Sequence, residues 1–538
     1  MATTNRRGFL TLAGVSALAV PLLAACNRDT NDPFADDTGG GESGGGEGGV
    51  AVIVTDADPE SLNPGQTTSN QTLDVCAKIF EALVWIDPDG QPAPLLATEW
   101  TISEDELVYT FTLREGVTWH DGEPFTSADV VWTIEEGMPN NSRAQGVIAQ
   151  IASVEAPGDY EVVITLIEPY APLLQQLKVF DLPIIPKHVF EGTDLATNAA
   201  SRAPIGTGPF RFSEWDPGRS LLLVANEEYW DEGKPGLSEI IYQIVPDAAN
   251  RSAGLETGEY DFVGAFYLPR ADVARLKSLD NVVVREQTTI PSLHFIQFNH
   301  QNEHLGKREV RQAIAKVVDR PRIVEQAMAG LGLPGVGSFG EGFPWLVNEE
   351  VSYDILYPLD PDAARSELES AGVPEGTTLR LTYDAAKPQF QAASQIVRDN
   401  LSAIGIEVTI EPLETSVYRD AVYAQRDFDL ALQSFTSSGD PAIGYHRIYR
   451  TNETNDPNVN ATGYSNAEVD ALLEQAETVS DLEKRGEFYK QAQVILNEDV
   501  PTLVMYDELQ ADAVSTRLEG LFAGINPVDR WGEVTATE

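Results

Sequence analysis

Between residues 50 and 538 the hydrophobic period of this chain switches repeatedly between two and 3.6, which restricts it to sheets covered by helices. Val50-Ala51-Val52-Ile53-Val54-Thr55 reads as a first strand, and residues 107–113 as a second with period-two alternation. Thr126, with Asp129 three residues on, caps a helix whose inner face carries Val130, Val131 and Ile134. Residues 160–167 return to strand, and Pro183 and Pro186 punctuate a loop. Residues 308–328 are predicted as one helix with Val310, Ile314, Val317 and Val318 on one face. Asp360-Pro361 opens a helix closed by Gly372, and residues 392–404 form another that Gly405 stops. Ser465-Asn466-Ala467-Glu468 and Ser480-Asp481-Leu482-Glu483 read as capping boxes of two further helices, and strands are predicted at 378–383, 406–411 and 428–433. The fold class is α/β.

The first residues say where such a chain works. Asn5-Arg6-Arg7-Gly8-Phe9-Leu10 is a twin-arginine pattern, followed by a short apolar stretch broken by Pro21 and ending at Leu23-Ala24-Ala25-Cys26. A membrane-spanning helix needs about 20 apolar residues, so the stretch reads as an export signal over 1–25, joined to a lipobox. The expected product carries a diacylglyceryl group on Cys26, and two acyl chains suffice for stable anchoring. Residues 26–49, with Gly39-Gly40-Gly41-Glu42-Ser43-Gly44-Gly45-Gly46, have almost no apolar side chain to offset ordering entropy and read as a flexible tether. The expected location is extracytoplasmic, on the outer face of the cell membrane, in a periplasmic space where a second membrane exists.

The formal charge is −48, and −50 once Arg6 and Arg7 leave with the signal. Phosphate binding needs a surplus of Lys and Arg, so nucleic acid is excluded as a partner. The 42% hydrophobic content still supplies a core, which makes the acidity a surface property. With Cys26 lipidated, Cys76 is the one thiol left and no intramolecular disulfide can form. Cys76 shares helical spacing with Leu73, Ile79 and Phe80 and is expected to be buried. Trp85, Trp100, Trp119 and Trp132 are likewise expected to fill core.

Several segments resemble one known family in order along the chain: Asp58-Pro59-Glu60-Ser61-Leu62-Asn63-Pro64, Ile79-Phe80-Glu81-Ala82-Leu83-Val84, Pro94-Leu95-Leu96-Ala97-Thr98-Glu99-Trp100, and the stretch 109–122 ending Gly116-Val117-Thr118-Trp119-His120-Asp121-Gly122. Pro204-Ile205-Gly206-Thr207-Gly208-Pro209-Phe210, read as a turn beside the hinge, Phe298-Asn299 leading to Arg308, and Gly463-Tyr464-Ser465-Asn466 extend the match nearly to the C-terminus. Together they resemble the family 5 extracellular solute-binding proteins, the peptide- and nickel-binding components of ABC importers.

The resemblance implies a two-lobe periplasmic-binding-protein-like fold with an extra subdomain and a hinge between lobes. Its expected boundaries are lobe I from 50–90, 205–290 and 500–538, the subdomain from 91–204, and lobe II from 291–499. It also implies a monomer that takes no cofactor and performs no catalysis. Such a protein captures a solute, an oligopeptide first of all, and delivers it to the membrane subunits of an ABC permease. An oligosaccharide or a metal chelate is the alternative cargo.

The loop Ser434-Phe435-Thr436-Ser437-Ser438-Gly439-Asp440-Pro441 is similar to the one where peptide-binding relatives keep an aspartate for the peptide α-ammonium, and that position is Ser437 here. A hydroxyl does not replace a carboxylate opposite an ammonium. The candidate substrate-binding residues are Phe435, Ser437, Asp440, Tyr445, His446 and Trp345; Asp440 is equally a turn residue before Pro441, and Trp345 equally a loop anchor.

His300-Gln301-Asn302-Glu303-His304 fits H-x-x-E-H, which in a helix would suggest a secreted zinc hydrolase. Here it follows a predicted strand at 293–299 and contains poor helix formers, so it reads as loop, and no metal ligands are assigned.

Overall fold

The computed structural model describes residues 48–287, 291–522 and 529–537. The expected signal over 1–25, Cys26 and most of the tether lie outside the described residues. Among the described residues no helix is long and apolar enough to cross a membrane.

Lobe I is built on a seven-stranded sheet in the spatial order Val282–Gln287, Gln510–Ser515, Phe262–Val263, Gly49–Thr55, Leu237–Ile244, Ser220–Ala225, Phe210–Asp216. Gly49–Thr55 runs parallel to both of its neighbours, and the outer pairs are antiparallel. The helix Asn70–Ile79 packs beside it, with every residue from Thr72 to Ile79 buried. That total burial explains Cys76: its Sγ sits 3.5 Å from the Leu62 carbonyl, and burial pushes its thiol far up.

Lobe II carries a six-stranded sheet ordered Gly332–Pro334, Thr502–Glu508, Ser292–Phe298, Leu430–Thr436, Thr377–Asp384, Ile406–Leu413. Ser292–Phe298 is buried on both faces, the pattern of a strand covered by helices on each side. A third, four-stranded sheet, Ala97–Ile102, Val108–Leu113, Glu161–Leu166 and Ile151–Gly158, has its own core around Phe111, Trp119, Val162 and Ile164. Trp119 and Trp132 are core, whereas Trp85 and Trp100 are only partly buried.

The chain passes between the two large sheets twice, between Gln287 and Ser292 and again at Leu509. Residues 500–538, expected wholly in lobe I, are therefore divided. Thr502–Glu508 pairs with Ser292–Phe298 in lobe II and is buried from Thr502 to Asp507, and Gln510–Ser515 begins the lobe I part. Glu508 stands at this second crossing. Its carboxylate accepts from Arg270 of lobe I and, at 2.9 Å, from His294 Nε2 of lobe II. The Tyr506 hydroxyl donates to His294 Nδ1 at 3.1 Å, which fixes a neutral tautomer with the proton on Nε2. Burial opposes ionisation of Glu508, and the His294 hydrogen bond and the Arg270 guanidinium overcome it, holding the carboxyl down at about 2.

Two local expectations need correction. Residues 308–328 form two helices, Arg308–Ala315 and Arg320–Ala327, because Asp319 accepts from the Arg322 amide at 3.0 Å and Pro321 occupies the new first turn. The caps at 466 and 481 also sit one residue later than the serines suggested. Asn466 accepts from the Glu468 and Val469 amides and Asp481 from Lys484, while the Ser480 hydroxyl donates to Glu106 at 2.6 Å.

The Gly206–Gly208 turn serves neither crossing between the lobes. It brings the chain back from the subdomain against the end of the Asn70–Ile79 helix, where the Gly208 amide donates to the Ile79 carbonyl at 2.8 Å. A Cβ at Gly206 would lie 1.8 Å from that oxygen, so close backbone approach explains the glycine.

Candidate functional site

A cavity of about 690 Å³ opens where the two lobes and the subdomain meet. Its walls come from residues 86–92 where lobe I meets the subdomain, from Ile102, Tyr109 and residues 171–178 of the subdomain, from Arg285 to Gln287 of lobe I, and from Pro291 and three loops of lobe II around 342–345, 439–441 and 480–485. Ligand sites of this kind are concave, mostly apolar and equipped with few polar groups.

The loop after Leu430–Thr436 forms one wall. Ser438 has φ of 54° and Gly439 of 95°, so the chain turns sharply through the left-handed region. The turn delivers Asp440 to the start of the short helix Pro441–Gly444, where its Oδ1 accepts from the Ala442 amide at 2.8 Å. The same carboxylate takes two charge-assisted bonds from Arg485, 2.8 Å from Nη1 and 2.7 Å from Nη2. Burial alone would lower the Arg485 guanidinium, and Asp440 beside it more than reverses this. Arg485 also donates through Nε to the Ala476 carbonyl at 2.8 Å and lies over the Trp345 ring, 5.4 Å from its centroid.

Trp345 stands edge-on to Tyr489 at 5.6 Å and to Phe343 at 6.2 Å. The Tyr489 hydroxyl lies 2.7 Å from His446 Nε2. From the subdomain, Lys178 pairs with Asp181 and donates to the Ser438 carbonyl at 3.3 Å, a direct link across the cleft.

Of the six candidates read from the sequence, Trp345 and Asp440 line the cavity. Phe435, Ser437, Tyr445 and His446 stand behind the wall, all buried. Phe435 packs on Phe295 and under Arg447, Ser437 is fully enclosed with its amide donating to the Pro291 carbonyl at 2.8 Å, and burial lowers the His446 imidazole. Asp440 is a helix cap as well as a wall residue, and its oxygens are already engaged. Arg485, Phe343, Lys178 and Arg285 were missed. Arg485 carries the one usable signal, an arginine on the inward face of the predicted helix after Asp481, but nothing local in sequence pairs it with Asp440 45 residues away.

His300 to His304 lie in consecutive turns, not in a helix. Burial pushes His300 down to about 3, and its ring stands edge-on to Tyr464 at 5.8 Å. His304 Nε2 is 3.1 Å from Glu303. Among the described residues no group of three or more potential ligands converges on a metal position.

A model of the family described as bacterial extracellular solute-binding proteins, family 5 Middle, matches residues 91–456. The di/tripeptide-binding protein 3 of Pseudomonas aeruginosa (strain UCBPP-PA14) is 30% identical over 483 residues, 84% of this chain and 88% of that protein. The probable D,D-dipeptide-binding periplasmic protein DdpA of Escherichia coli (strain K12) is 27% identical over 484 residues, 88% of this chain and 91% of that protein. The solved structure of HbpA2 from Haemophilus parasuis superposes with a TM-score of 0.80 at 23% identity, covering 91% of this chain and 100% of that one. The family match over two lobes that enclose a cleft leads to one conclusion: this chain belongs to the bacterial extracellular solute-binding proteins of family 5.

Proposed function

We propose that this protein captures an oligopeptide in the inter-lobe cleft and delivers it to the membrane subunits of an ABC import permease, while a diacylglyceryl group on Cys26 holds it at the outer face of the membrane. The observation that carries the reading is the cavity of about 690 Å³, walled by both lobes and the subdomain and lined by Trp345 and Phe343. Rigid aromatics bind at low entropic cost, and contacts made on both lobes at once supply the energy for hinge closure. The relatives named for di- and tripeptides and for D,D-dipeptides favour peptide cargo.

The mode of capture differs from holding a free α-ammonium at the loop after Leu430–Thr436. Ser437 offers no carboxylate and is enclosed, and Asp440 is taken up by Arg485. The peptide is therefore gripped elsewhere along the cleft.

Native mass spectrometry of protein purified without denaturation tests this. A mixture of peptide masses released from the complex is the expected result; a single carbohydrate mass would overturn peptide capture. Cys26→Ser is expected to move the protein from the membrane to the soluble fraction, and membrane retention of that variant would refute the anchor.

A further inference from the structure

Arg285 and Gln287 stand two residues apart on the strand Val282–Gln287, so their side chains share one face of the lobe I sheet, and both line the cavity. The Arg285 guanidinium lies over the ring of Phe522, with Cζ 4.6 Å from the centroid. Its Nη1 is buried and has no hydrogen-bond partner among the described residues; the same is true of Gln287 Oε1. Asp512 is directly across the ladder from Arg285, yet its oxygens accept from the Ala265 amide at 2.8 Å and from Gln287 Nε2. The opposite charge is near, but the guanidinium hydrogen remains unused.

The other charged groups along the wall are answered internally. Arg485 has Asp440, Lys178 has Asp181 and Glu286 has Lys277, while Asp89 is exposed to water at the rim. Arg285 is thus the cleft cation held ready on a chain of formal charge −48. A buried donor left unsatisfied is unfavourable, and the planar fork of a guanidinium stacked on a ring is preorganised for a carboxylate.

We infer that Arg285 sets specificity by reading a carboxylate of the bound solute, with Gln287 Oε1 accepting an N–H or O–H next to it. The inference rests on the proposed capture of solute in this cleft and adds its chemical class: the cargo is an acid. In a peptide the group is the free C-terminus or an acidic side chain.

The test compares acid and neutral probes on the full-length protein stripped of endogenous ligand. One pair is a randomised tripeptide library as free acids and as C-terminal amides; the other is a disaccharide carrying a uronic acid and a neutral one. Binding is read by native mass spectrometry and calorimetry, for wild type, Arg285→Gln and Arg285→Lys, each checked for an unchanged melting temperature. The expected result is that wild type binds the acid member about tenfold or more tightly, Arg285→Gln loses the preference and Arg285→Lys keeps part of it. Equal affinity for acid and neutral members in wild type overturns the inference without involving any variant, as does a preference that survives in Arg285→Gln. Preferential binding of the uronic disaccharide with no tripeptide bound would remove the peptide reading and leave the role of Arg285 standing, whereas binding of neither pair would overturn both.

Discussion

Arg485 grips Asp440 through two parallel hydrogen bonds of 2.8 and 2.7 Å, with both side chains only 5% exposed. The pair joins the helix Leu482–Asp499 to the loop that walls the cleft. Removing one partner of a buried pair strands the other, at a cost of about 3–5 kcal/mol. Asp440→Asn is therefore expected to lower unfolding stability by that order in urea titrations, with the loss appearing in ligand-free protein. Unchanged stability together with abolished peptide binding would instead assign Asp440 to the ligand.

Trp345 makes the opposite prediction. It is only partly buried and presents a face to the cavity, so truncation removes ligand contact more than core. Trp345→Ala is expected to weaken solute binding about tenfold or more while the melting temperature falls by a few degrees at most. Calorimetry of peptide binding beside a thermal scan separates the two effects.

Stability is expected to depend on pH through Asp507. This carboxyl is completely buried, accepts from the Glu341 amide at 2.7 Å and is pushed by burial from 3.8 up to about 7. Between those values the folded state holds a proton that the unfolded state has lost, so this contribution is complete below about 4 and disappears as pH rises through 7. The buried histidines, whose imidazoles are lowered, act in the opposite direction, so the measurement is the difference between wild type and Asp507→Asn. The variant is expected to gain on wild type as pH rises from 4 to 8, by an amount on the order of 4 kcal/mol at most. Parallel stability curves would show that Asp507 titrates as an ordinary carboxyl.

Gly206 tests the subdomain junction. Because a Cβ there would meet the Ile79 carbonyl oxygen, a backbone atom that cannot rotate away, Gly206→Ala is expected to cost about 3 kcal/mol or more. Gly116→Ala serves as the comparison. Gly116 has φ of 78° with open space around its Cβ position, so only the modest strain of a left-handed alanine arises there. Equal losses in chemical denaturation would refute the close-approach argument.

Alternating hydrophobic periods, capping residues and turn glycines lie next to each other in sequence, so they determined the α/β class and most strand and helix positions by themselves. The ordered motifs from Asp58 to Asn466 determined the family in the same way. They did not resolve which sheet takes Thr502–Glu508, because its mainly apolar run Leu503–Tyr506 satisfies either core and only its pairing with Ser292–Phe298 decides. The site was less legible still. Tyr445 and His446 have the side chains of a binding wall, yet both are buried in the core, while Asp440, just after the turn at Ser438 and Gly439, lines the cleft. Arg485 and Arg285 reach that cleft from elements 45 and 155 residues away from Asp440. A cleft shared by two lobes is assembled from contacts distant along the chain, and that long-range geometry is what tertiary structure alone supplied.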